Sequence, residues 1–93
     1  MLEKIFTEDE YSKLKSSNDL LLKTLELVIK LFEGKTDKAG LPYYNHLLKV
    51  YANVDNYDEK IIALLHDVVE DTEVTFDDLK VYGYPENILE ALR

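Results

Sequence analysis

The stretch Ala63-Leu64-Leu65-His66-Asp67-Val68-Val69-Glu70-Asp71-Thr72 carries the periodicity of a helix. Placed on a wheel at about 100° per residue, Ile61, Ile62, Leu64, Leu65, Val68 and Val69 fall on one apolar arc. His66, Asp67, Glu70 and Asp71 fall on the opposite arc, beside small Ala63. A solvated face of an amphipathic helix would account for the polarity. It does not account for the charge pattern. Asp67 and Asp71 are like charges four apart, Asp67 and Glu70 three apart, and such pairs destabilise a helix. They also crowd the C-terminal end, where the helix dipole disfavours negative charge. No Lys or Arg lies between Lys60 and Lys80 to relieve them. A bound cation is the economical explanation.

Apolar residues recur at three- and four-residue spacing on either side of this stretch, with three Gly and two Pro as punctuation, which predicts an all-α fold. Thr7-Glu8-Asp9-Glu10 fits a capping box and opens a short helix to about Lys15. Ser17 or Asn18 caps a longer helix whose stripe includes Leu21, Leu25, Val28, Ile29 and Phe32, with Gly34 as its left-handed end. Residues 35–41 form a polar loop. Pro42 fits the first turn of a third helix reaching about Asn53, with Tyr43, Leu47, Val50, Tyr51 and Val54 on its apolar stripe and His46 on the edge. A fourth helix covers about Asp58 to Val69. Thr75 with Asp78 opens a fifth that Gly83 ends, and Pro85 begins a sixth.

With 93 residues the chain makes one domain, and 46% hydrophobic residues give it a modest core. The absence of cysteine excludes disulfides and thiolate metal sites, so any ion must be held by imidazole and carboxylate. Nineteen acidic against 11 basic residues give a net charge of −8, which argues against nucleic acid. It also disfavours a phosphorylated substrate unless a bound cation inverts the local field. No signal peptide is visible in Met1-Leu2-Glu3-Lys4-Ile5-Phe6, and Leu20 to Phe32, with Lys23, Glu26 and Lys30, is too short and charged to span a membrane. The expectation is a soluble cytoplasmic protein without membrane or nucleic-acid partners.

His46 and His66 are the chain's two histidines. The intervening segment is long enough for the third helix to end, turn and return antiparallel as the fourth. In that hairpin His46 approaches the His66–Asp67 pair. Alone, His46 reads rather as a hydrogen-bonded histidine at a core edge, and it is the ability of both histidines to converge that shifts the balance.

The run Asp37-Lys38-Ala39-Gly40-Leu41-Pro42-Tyr43-Tyr44-Asn45-His46, followed by His66-Asp67-Val68-Val69-Glu70-Asp71-Thr72, resembles the HD superfamily of metal-dependent phosphohydrolases. It is most similar to the hydrolase domains of RelA/SpoT-type (p)ppGpp enzymes and their small stand-alone relatives. The similarity spans roughly Leu31 to Leu92 and combines an HD-x-x-ED-T signature with an upstream G-x-P-Y-x-x-H. The resemblance implies an HD-domain-like helical bundle of about five to six helices. It implies His46, His66 and Asp67 as ligands of one divalent ion, usually manganese, and Glu70 and Asp71 as the acidic pair that orients or activates water. Lys38 would lie near substrate phosphate, and Thr72 would be a helix-end residue of the motif. The implied reaction removes pyrophosphate from the 3′ position of guanosine tetra- or pentaphosphate.

Two departures stand out. The family's arginine before the lysine, which stacks on guanine, is Asp37 here, and a carboxylate supplies no such cation–π contact. The family's fourth ligand, a later aspartate, has no match in Asp77, Asp78 or Glu90. The last helix carries Ile88, Leu89 and Leu92 to the end without a capping signal, as in a chain cut inside a larger helical domain or a natural end that frays. The first expectation is thus a metal-dependent phosphohydrolase acting on a small phosphorylated nucleotide. The alternative is a truncated, catalytically inactive HD-like binding or regulatory module whose open apolar face makes homo-oligomers. A plain helical interaction protein without a metal is a third.

Overall fold

The computed structural model describes residues 2–93, except the side chains of Glu3 and Tyr44; Met1 of the opening stretch and the Tyr44 side chain of the quoted motif lie outside the described residues. Six α-helices follow a 3-10 turn over Leu2–Lys4: α1 (Glu8–Lys15), α2 (Leu20–Leu31), α3 (Tyr44–Asn53), α4 (Tyr57–Asp71), α5 (Phe76–Val81) and α6 (Glu86–Leu92). The all-α expectation holds, with one isolated bridge between Thr36 and Pro42 as the sole β-type pairing among the described residues. Thr7 closes its capping box, its Oγ1 accepting from the Glu10 amide at 3.2 Å while Glu10 accepts from the Thr7 amide at 3.0 Å. Thr75 and Asp78 do the same for α5. Such a cap contributes about 1 kcal/mol.

Helix boundaries differ from the sequence reading in three instructive places. Pro42 lies before α3 rather than in its first turn, bridged to Thr36, and the helix starts at Tyr44. Asp19, rather than Ser17 or Asn18, caps α2, accepting from the Leu22 amide at 3.1 Å, while Ser17 Oγ accepts from the Asp19 amide. The α4 helix runs on to Asp71, so Glu70 and Asp71 are helical and the helix ends without a basic residue in its last turn.

The α4 helix is the central element. Ile61, Leu64, Leu65 and Val68 have no exposed surface, and each such burial is worth about 1.5–3 kcal/mol. On one side α4 packs along α2 in the same direction. The Tyr57 hydroxyl at the start of α4 accepts from the Leu21 amide at 3.1 Å at the start of α2. On another side α3 runs antiparallel to it: Lys60 donates to the Tyr51 carbonyl near the end of α3 and sits 4.0 Å from the Tyr51 ring. That hairpin returns the far end of α4 to the start of α3. The remaining flank is closed by Leu79, Tyr82, Tyr84, Ile88, Leu89 and Leu92 of the α5–α6 unit.

Of the expected α2 stripe, Val28 and Phe32 are buried and Leu21 and Leu25 pack against the core, but the inward face extends to residues that the stripe left out. Lys23, Thr24, Leu27 and Val28 face inward, while Ile29 is 42% exposed. Charge kept Lys23 out of the stripe, yet its ammonium is fully buried, donating to the Lys15 carbonyl at 3.1 Å between the rings of Tyr82 (4.7 Å) and Tyr84 (5.5 Å). Thr24 Oγ1 shares a 2.7 Å hydrogen bond with the Tyr84 hydroxyl. Gly83, at φ +103°, is required here: a Cβ would stand 2.7 Å from the Lys23 Nζ and 2.8 Å from the Lys15 carbonyl oxygen.

Candidate functional site

The α2 helix stops at Phe32, and Gly34 turns the chain through φ +76° into the loop 35–43. This loop is built on Asp37. Its Oδ1 accepts from the amides of Ala39 (2.9 Å) and Leu41 (3.0 Å), and its own amide donates to the Leu41 carbonyl at 2.8 Å. The carboxylate that replaces the family's arginine is therefore engaged with its own backbone. The Tyr43 amide then donates to the Lys35 carbonyl at 3.0 Å, which sets where α3 begins.

Across the α3–α4 hairpin, His46 Nε2 lies 3.2 Å from Asp67 Oδ2. The Tyr43 hydroxyl donates to Asp71 Oδ2 at 2.9 Å. The Tyr43 ring stacks on Phe32, centroids 4.3 Å apart at 12°, and is tilted against His46 at 5.3 Å. Phe32, Tyr43, His46, Asp67 and Asp71, with Lys35, Asp37 and Lys38, line one open cavity of about 730 Å³. That volume suits a small-molecule ligand. Glu70 and Asp71 line a neighbouring cavity of about 600 Å³ with Lys30 and Lys35.

The electrostatics follow from that crowding. Burial raises the Asp67 carboxyl above the ordinary carboxylate range, and Asp71 and Glu70 push it further, while His46 works the other way. Burial raises the Tyr43 phenol well above its usual value, aided by the hydrogen bond to Asp71 and the charges of Asp67, Asp71 and Glu70. Tyr43 therefore stays a protonated donor throughout the physiological range.

Of the residues singled out by sequence, His46, Asp67, Asp71 and Lys38 share the main cavity, and Glu70 lies around the corner in the next one. His66 is exposed on α4 and lines neither cavity. Thr72 ends α4 as expected, its hydroxyl donating to the Val68 carbonyl at 2.6 Å. Imidazole and carboxylate are donors suited to a hard or borderline divalent ion. In number they fall short: among the described residues no three His, Cys, Asp or Glu side chains are grouped to hold one ion. Tyr43, Phe32 and Lys35 were not singled out for the site. Tyr43 reads as a stripe residue, and its place as the Tyr of the G-x-P-Y-x-x-H run, three residues before His46, is the signal that it shares that end of α3.

No protein-family model matches the chain. It is 36% identical over 78 residues to the guanosine-3′,5′-bis(diphosphate) 3′-pyrophosphohydrolase MESH1 of Danio rerio, covering 73% of this chain and 43% of that protein. It is 38% identical over 52 residues to the bifunctional (p)ppGpp synthase/hydrolase SpoT of Escherichia coli, covering 52% of this chain and 7% of that one. Against the MESH1 of Drosophila melanogaster it is 38% identical over 58 residues, or 55% of this chain and 32% of the relative. The chain thus spans less than half the length of these curated relatives. By sequence it is similar, over part of their length, to proteins named as (p)ppGpp hydrolases, in keeping with the resemblance to RelA/SpoT-type HD hydrolases.

Proposed function

We propose that this chain carries the site of a metal-dependent phosphohydrolase of the nucleotide or alarmone type, acting as a (p)ppGpp 3′-pyrophosphohydrolase in the cytoplasm. The observation that carries the reading is the 3.2 Å approach of His46 to Asp67 inside a cavity that also holds Asp71 and Lys38. Relatives with that activity in their names support it. His46 and Asp67, which face the cavity, would hold a divalent ion, manganese in the first instance, with His66 as the third ligand that the resemblance implies although it lines neither cavity. Bound there, it would supply Lewis acidity and a water of lowered pKa. Lys38 binds a substrate phosphate as a point charge. Asp71 or its neighbour Glu70 accepts the proton of the attacking water, and the Tyr43 hydroxyl holds one Asp71 oxygen in place.

A second reading has an observation of its own. The shortfall of converging ligands among the described residues favours a catalytically inactive HD-like binding or regulatory module. The exposed Leu22, Ile29 and Leu48, beside an apolar groove between α2 and α3, would then support self-association. No helix among the described residues is long and apolar enough to cross a membrane.

The two readings separate on one experiment. Manganese is added to the purified chain, and thermal stability and pyrophosphate release from guanosine-3′,5′-bis(diphosphate) are followed. An ion at a hundredfold excess over its Kd adds about 2.7 kcal/mol, several degrees in Tm. The hydrolase reading expects that shift together with turnover, and expects His66→Ala to abolish the shift. Neither effect would leave the inactive module.

A further inference from the structure

Lys35 stands where two cavities meet. The main cavity and its neighbour share Lys35 and Asp71, whereas Lys38 lines only the first and Lys30 only the second. The Lys35 backbone is held on both sides, its amide donating to the Phe32 carbonyl at 3.1 Å and its carbonyl accepting from Tyr43 at 3.0 Å. Its ammonium lies 5.3 Å from the centroid of Phe32, the ring that stacks on Tyr43, which in turn reaches Asp71. The cation is thus carried on an aromatic pair that ends at the acidic terminus of α4.

A phosphate brought to that terminus faces Asp67, Glu70 and Asp71, and needs a positive contact on the same rim. Position 37 supplies none, because Asp37 is a carboxylate bound to its own loop. We propose that Lys35 is a specificity-determining residue that selects substrates bearing two separated phosphate arms, binding the arm that passes Asp71 from the main cavity into its neighbour. This rests on the phosphohydrolase reading for its substrate class, and binding and turnover test the two separately.

Calorimetric titration of the purified chain with guanosine-3′,5′-bis(diphosphate) and with guanosine 5′-diphosphate, with and without manganese, reads the selection directly. Wild type is expected to prefer the first. Lys35→Gln should weaken the two-armed ligand about tenfold and leave the one-armed ligand within about twofold, Lys35→Arg should restore the preference, and Lys38→Gln should weaken both. An equal loss for both ligands in Lys35→Gln, no loss for either, or no binding by wild type would overturn the proposal. Tight, Lys35-dependent binding without turnover would sink only the hydrolase reading.

Discussion

Tyr43 couples three features through one side chain: a stacked partner in Phe32, a ring contact with His46 and a hydrogen bond to Asp71. Tyr43→Phe removes the hydroxyl alone and keeps the stack. A hydrogen bond to a charged acceptor near the surface contributes about 1 kcal/mol, so thermal unfolding should move down by roughly 4–8 °C. An unchanged Tm would show that the phenol does not hold Asp71 in solution. Asp67 behaves in the opposite sense. Its raised carboxyl means that ionisation is disfavoured in the folded chain, so its contribution to stability is lost as pH climbs above the ordinary aspartate range through the raised value. Asp67→Asn keeps an acceptor for His46 and removes one of the crowded charges. It should leave neutral-pH stability equal or higher by about 0.5–1 kcal/mol, read from urea unfolding. A clear loss of stability would mean that the ionised form is favoured in the fold, against the burial argument.

At the scale of elements, α2 shows where sequence stops being informative. The buried set Lys23, Thr24, Leu27 and Val28 has helical spacing, yet two polar members hide it, and the apolar stripe through Leu21, Leu25 and Ile29 beside it is partly buried and ends on the exposed Ile29. The partners that accept Lys23 come from α1 and the α5–α6 turn, which no local pattern announces. By contrast, α4 was legible because all its buried positions are apolar and its acidic end violates the dipole rule in plain view. Likewise His46 and Asp67 could be paired from hairpin length, whereas Lys35 and Phe32 join the site only through the path of the loop. Burial, with repulsion from Lys15, lowers the Lys23 ammonium to about 8 from the ordinary 10.5. Between those values the unfolded chain keeps a proton that the folded chain has released, so stability should rise with pH from about 8. Near pH 10 the buried Tyr82 and Tyr84, whose phenols burial raises, begin to oppose it. Urea midpoints measured from pH 8 to 10 should climb in wild type and be flatter in Lys23→Met. Equal slopes would contradict a buried ammonium.

In the whole molecule, two helix directions make the site. With α2 parallel and α3 antiparallel to α4, the end of α2, the loop 35–43 and the start of α3 all gather over the acidic end of α4. One rim is aromatic and cationic, the other carboxylate, and the cavity between them is where a phosphate and a divalent cation would offset each other's charge. That complementarity is the central claim, and manganese-dependent pyrophosphate release from guanosine-3′,5′-bis(diphosphate) tests it most directly. Wild type is predicted to turn over only with the metal, and both His46→Gln and Asp67→Asn, folded by circular dichroism, to lose about a hundredfold or more. Turnover that persists in either variant, or that is indifferent to manganese, would contradict the account.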